Sequence, residues 1–220
     1  MVKKRKFRRH IFFILLTLLL LVFIAGLLLG RNLSNEKLDE ITMFIKNSEL
    51  NTESYLIEQE LIGTGDKNNC ELSKVRVDDI SSQLVLLGRK LTADDTKESI
   101  DTTKYSFLKL KYHLMQIKTY LLFYNLAQEC DMKSPIILYF YGDDGGLSQQ
   151  QGYILDKIVE DYNTKVFAIE YNYSKELSFL ESYYKIKTTP SIIINYYKLI
   201  EGPADYETIK NEIETQSGKN

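Results

Sequence analysis

The longest apolar run in the chain is Ile11 to Gly30, twenty residues without a charge, and it stands directly after a basic stretch. Beyond it the pattern is helical for a hundred residues. Leu38, Ile41, Phe44 and Ile45, then Tyr55, Leu56 and Leu61, recur at steps of three and four, with Asn47-Ser48 and Asn51-Thr52 as a candidate break between them. Gly63 to Asn69 reads as a loop, and Val77, Ile80, Leu84, Leu87 and Leu91 define a second helix that ends before a polar connection, Thr92 to Ser99. A third helix, about Ile100 to Gln128, carries two apolar stripes: Tyr105, Leu108, Tyr112, Met115, Leu122, Leu126, and Phe107, Leu110, Leu114, Ile117, Leu121, Tyr124. Two stripes predict packing against two neighbours at once.

After residue 130 the period changes. Pro135 to Tyr141 is an apolar run of strand length, and Gly142, Gly145 and Gly146 make a turn into a helix ending at Tyr162. Lys165 to Tyr171 is a second strand, Glu176 to Tyr184 a short helix, and Ser191–Tyr197 and Lys198–Glu201 two strands joined tightly. Gly202-Pro203 stops the sheet, and Asp205–Glu214 closes with a helix carrying Tyr206, Ile209 and Ile213. The chain therefore divides into a basic tail (1–10), a span (11–30), a helical region (31–130), an α/β domain (131–216) with a mixed four-stranded sheet, and a disordered tail (217–220).

Twenty residues at helical rise cover about 30 Å, the thickness of bilayer hydrocarbon. Six basic residues precede the run, which predicts a cytoplasmic N-terminus and an extracytoplasmic remainder. The alternatives are a cleaved signal peptide, whose apolar core would be shorter, and a buried soluble helix. A single-pass cell-membrane anchor with the lipid bilayer around residues 11–30 is the preferred reading.

Composition changes the picture at two points. Hydrophobic residues at 44% and charged residues at 26%, with only 3 Pro, describe a folded chain rather than a disordered one. Six of the 28 basic residues lie in the first ten positions, which leaves 22 against 30 acidic ones. An acidic remainder argues against nucleic acid as a partner.

The two cysteines, Cys70 and Cys130, fall at the start of the second helix and the end of the third. If those helices form an antiparallel hairpin, the two ends are neighbours, and a disulfide suits an oxidising compartment. Two free thiols or a redox-active pair remain open alternatives.

The strand with aromatics ahead of a glycine turn, the helix tail Ile154-Leu155-Asp156-Lys157-Ile158-Val159-Glu160-Asp161-Tyr162, and Thr189-Pro190 before a β-branched run together resemble the thioredoxin family. The resemblance covers residues ~134–214 and implies a thioredoxin-like fold, with Thr189-Pro190 at the family's cis-proline. Counted back from the helix tail, the family's two active-site cysteines fall on Gly145 and Ser148. The resemblance therefore implies the fold without the thiol chemistry and without a catalytic residue; no cofactor or metal is expected, since the adjacent carboxylates Asp143-Asp144 read as solvated turn formers and not as a cation site. It also implies a shallow groove at Tyr141, Gly145, Leu147, Ser148, Thr189 and Pro190, where an extended protein or peptide partner outside the cytoplasm would add main-chain hydrogen bonds. The expectation is a non-catalytic, membrane-anchored binding domain. The competing expectation is a thiol–disulfide oxidoreductase using Cys70 and Cys130. A serine nucleophile at Ser148 is disfavoured, because the only histidines are His10 and His113.

Overall fold

A computed structural model of the chain describes residues 3–62, 67–130, 132 and 134–217. The first element, α1 (Lys3–Ile62), is one helix of 60 residues. Its segment His10–Gly30 is long and apolar enough to cross a membrane, and none of it is buried by the rest of the chain. The expected break at Asn47–Thr52 is absent. Ser48 and Thr52 are buried inside the helix packing, and the Thr52 hydroxyl donates to the Ser48 carbonyl at 2.8 Å, while the Asn51 amide donates to Gln83. The polar side chains that suggested a cap find partners without leaving the helix.

Helix α2 (Lys67–Thr92) begins inside the expected 63–69 loop, whose residues 63–66 lie outside the described ones. It buries Val77, Ile80, Leu84, Leu87 and Leu91. The expected polar connection contains a further short helix, α3 (Asp94–Ser99), whose Thr96 and Lys97 amides bond the Ala93 carbonyl. Helix α4 (Thr102–Cys130) starts where the Asp101 carboxylate accepts from the amides of Thr103 and Lys104. It packs on α2 on one side and on the sheet on the other. Three members of its second stripe, Phe107, Leu114 and Leu121, face outward at 40–57% exposure.

The sheet follows: β1 (Ile136–Tyr141), α5 (Leu147–Tyr162), β2 (Lys165–Glu170), a 3-10 turn (Lys175–Leu177) with α6 (Ser178–Tyr184), β3 (Ser191–Ile194), β4 (Lys198–Glu201) and α7 (Tyr206–Ser217). Strand order is β2-β1-β3-β4. β1 runs parallel to β2, with Ile136 opposite Lys165, and antiparallel to β3, with Tyr139 opposite Ile192; β3 and β4 are antiparallel. β3 ends at Ile194 rather than Tyr197, because Asn195 and Tyr196 both adopt positive φ in the hairpin turn. A left-handed Tyr costs roughly 1–2 kcal/mol. Packing of Tyr196 on Tyr120 and Tyr124, with ring centroids 4.9 Å away in each case, offsets that cost. Of the expected disordered tail, Ser217 ends α7, and 218–220 lie outside the described residues.

Strand alternation divides the core. Leu138 and Phe140 face α4 and α6 with Tyr120, Phe123 and Leu180, and this cluster reaches Tyr55 of α1 and Val77 of α2. Ile137 and Tyr139 face α5 and α7 with Leu155, Ile158, Ile209 and Ile213. A third cluster joins α1, α2 and α4 through Ile41, Ile45, Leu87 and Leu108. The helical region and the sheet thus share the first of these clusters.

Candidate functional site

The carboxyl end of β1 leads into Gly142, and the turn beyond it is built on two glycines: Gly145 at φ +69° and Gly146 at φ +93°. Side chains other than glycine's are strained there. Gly146 is the residue before the first turn of α5, so Ser148 is the second residue of that helix. Asp144 locks the turn. Its carboxylate accepts from the Ser148 amide at 2.8 Å and from the Ser148 hydroxyl, and the Gly142 amide in turn donates to the same hydroxyl at 3.0 Å. Partial burial of Asp144 opposes its ionisation. Hydrogen bonds from the Ser148 hydroxyl and amide and from the Thr189 side chain outweigh it, and hold the carboxyl below its ordinary range. Bonded in this way, Ser148 ties the turn to the start of α5.

Thr189-Pro190 is a cis peptide and lies against this turn. A methyl group on Gly142 would sit 3.0 Å from the Thr189 hydroxyl, so a glycine lets the two segments touch. Pro190 is buried, and the Gly202 amide of the β4 end donates to its carbonyl at 2.8 Å.

Beside the turn lies a cavity of about 580 Å³, within the range of small-ligand sites. Val85, Gly88, Arg89 and Thr92 of α2 form one wall, Tyr112 and Gln116 of α4 a second, and Tyr139, Tyr141, Gly142, Ser148, Gln149 and Ala168 the floor and rim. Tyr112 rests directly on Gly88, where an added methyl group would fall 2.3 Å from the Tyr112 hydroxyl. Gln116 pairs with both the amide and the carbonyl of Ala168 at 2.8 Å, replacing a missing strand neighbour at the edge of β2. The Tyr139 hydroxyl donates to the Ser148 carbonyl. The hydroxyls of Tyr112 and Tyr141 have no hydrogen-bond partner among the described residues. Burial pushes Tyr112 up to about 12, and burial followed by Glu170 raises Tyr141 well above its ordinary range. Both are therefore neutral donors at physiological pH. Arg89, exposed at the rim, has no carboxylate partner among the described residues.

Below Tyr141 sits His113, fully buried, 6.4 Å from the Tyr141 ring and 5.2 Å from that of Tyr173. Burial and then the Lys109 ammonium lower its pKa to about 4, weakly opposed by the Ala168 backbone. Its ring nitrogens make no hydrogen bond of good geometry. Lys109 pairs with Glu170 and lies over the rings of Tyr141 and Tyr173 at 5.9 and 5.1 Å.

Of the six residues expected from sequence, Tyr141 and Ser148 line the cavity. Thr189 meets the corner at Asp144 and Gly142, but neither Thr189 nor Pro190 lines the cavity. Gly145 and Leu147 occupy the outer, exposed side of the turn. The wall contributed by α2 and α4 was not expected, since nothing local in those helices marks it. Cys70 and Cys130 are joined, with Cα atoms 5.5 Å apart and a sequence separation of 60. A second cavity, about 430 Å³, is lined by Tyr120, Tyr124, Phe179, Tyr183, Tyr184, Tyr196 and Tyr197 with Leu121 and Leu180.

No family model matches the chain, and no curated protein matches it. A solved structure titled "Structure of a malarial protein" is similar at 17% identity over 37% of this chain and 96% of its own, with a TM-score of 0.31. So distant a likeness carries no argument about fold or function.

Proposed function

We propose that this chain is a membrane-anchored, thioredoxin-like binding protein that holds extended segments of other proteins and performs no thiol chemistry at its turn. The observation that carries the reading is the contact between Thr189-Pro190 and the Gly142–Ser148 corner, beside a cavity whose Tyr112 and Tyr141 hydroxyls are unpartnered. That is the arrangement through which thioredoxin-like proteins hold a peptide backbone, and here Gly145 and Ser148 stand where reactive sulfurs would be. The basic N-terminal flank supports placement of the domain outside the cytoplasm.

The competing oxidoreductase reading requires Cys70 and Cys130 to act at this corner. Cys70 precedes Gly88 by eighteen residues on α2, a rise of about 27 Å, so the bridge stands far from the cavity. Its position at the facing ends of α2 and α4 favours a structural role.

The test is selection of binding heptapeptides from a random display library on the full chain in nanodiscs, alongside insulin reduction by the same sample. Peptides whose binding weakens at least about tenfold in Val85→Trp, with no insulin turnover, support the proposal. Turnover that disappears in Cys70→Ser, or peptides indifferent to Val85→Trp, would refute it.

A further inference from the structure

Resting on that peptide-binding reading, we infer that the cavity receives the aromatic-bearing juxtamembrane segment of another membrane protein, because α1 holds the cavity at a short, fixed height above the bilayer. α1 continues unbroken from the apolar segment into the folded region. Arg89 of the cavity rim also lines a shallow pocket with Lys37, Glu40 and Ile41, and its neighbour Lys90 pairs with Glu40. Lys37 and Ile41 follow Gly30 by seven and eleven residues, so the near wall stands roughly 10–17 Å beyond the span. On the opposite wall, Lys111 beside Tyr112 pairs with Glu49, roughly 28 Å beyond it. The far end of the bundle, marked by the Gln59–Ser73 hydrogen bond, lies roughly 44 Å out.

The sheet is oriented to match. Lys165, at the start of β2, pairs with Asp78 on the outer half of α2, whereas Glu170, at its end, pairs with Lys109 on the inner half of α4. The carboxyl ends of β1 and β2, and with them the Gly142–Ser148 corner, therefore point toward the bilayer.

An extended chain climbs about 3.3 Å per residue, so heights of 10–28 Å are reached about three to nine residues beyond a partner's span. Those positions adjoin the interfacial zone where Tyr and Trp concentrate. The cavity suits such a segment: Val85, Tyr139 and Tyr141 offer apolar surface to a ring, and the free hydroxyls of Tyr112 and Tyr141 meet backbone carbonyls.

The experiment co-reconstitutes the full chain in nanodiscs with a probe made of a Leu/Ala span and a Gly/Ser tail on the same side of the membrane. The tail carries one Trp next to p-benzoylphenylalanine, moved stepwise along it. Crosslinking is expected to peak with the pair about three to nine residues past the probe's span, at least about tenfold above more distal positions. Inserting seven polar, helix-forming residues between Arg31 and Asn32 raises the cavity by about 10 Å and nearly preserves helical phase. The peak should then move outward by about three residues. A yield that is flat along the tail, or a peak unmoved by the insertion, overturns the height inference. If an untethered peptide with the tail's sequence still binds in that case, the peptide reading survives. Absence of crosslinking at every position, with no binding of the free peptide, removes both.

Discussion

Neutralising the proton-binding capacity of His113 should flatten the acid sensitivity of this fold. The imidazole is 0% exposed and faces Lys109 and Tyr112 on its own helix and Tyr141, Ala168 and Tyr173 across from it. Its pKa falls from 6.5 to about 4 on folding, through burial first and Lys109 second. Between those two values the unfolded chain binds a proton that the folded chain refuses. Stability is therefore fully present above about pH 6.5 and declines as the pH falls toward 4. At roughly 1.4 kcal/mol for each tenfold change in proton affinity, the whole interval is worth about 3 kcal/mol, of which about 2 is lost between pH 7 and 5. Asp144, held below its ordinary range, titrates below this window. His113→Phe fills the same space with a ring that cannot titrate. Urea unfolding of the full chain in mild detergent, followed by near-ultraviolet circular dichroism, gives the stability of both proteins across that range. The wild type should lose about 2 kcal/mol more than His113→Phe. Lys109→Met, which removes the charge that adds to the depression, should lie between them. Equal acid sensitivity in the wild type and His113→Phe would refute the reasoning.

Other outcomes follow from the same packing. Gly88→Ala should push the Tyr112 hydroxyl into the cavity, weakening peptide binding without loss of helix, since Ala is favoured over Gly within helices by about 1 kcal/mol; a binding isotherm beside far-ultraviolet circular dichroism checks both. Gly145→Ala, at φ +69° with open space around it, should cost about 1–2 kcal/mol of stability from backbone strain alone. Cys130→Ser should lower stability by up to about 4 kcal/mol, the loop-closure value for a 60-residue separation. It should leave peptide affinity unchanged, which calorimetry measures directly. Asp144→Asn should weaken the tie to Ser148, and a chemical-shift change confined to residues 142–149 and 189 would register it.

Much of the architecture is written in local periodicity. All five apolar positions expected on α2, Val77 to Leu91, are buried, and the uninterrupted Ile136–Tyr141 run became the strand covered on both faces. Thr189-Pro190 is singled out by a resemblance and not by periodicity; it forms a cis peptide whose Thr189 lies against Gly142. What local pattern could not show was set by partners distant in sequence. Ser48 and Thr52 resemble a helix end until α2 buries them. Phe107, Leu114 and Leu121 resemble a core stripe, yet α4 has already used its other faces on α2 and the sheet. Val85, Gly88 and Arg89 enter the candidate site only because the hairpin of α2 and α4 lies over the carboxyl end of β1. Asp144 carried a signal, an acidic residue just ahead of a glycine-started helix, that reads as turn chemistry in isolation.

The central claim is that the cavity beside the Gly142–Ser148 corner holds an extended segment. The most direct measurement places p-benzoylphenylalanine in a selected peptide, irradiates it on the full chain, and maps the modified residues by mass spectrometry. The account predicts labels on Val85, Tyr141 and Gln149. Labels on Tyr183 and Tyr197, in the separate tyrosine-lined cavity, would contradict it.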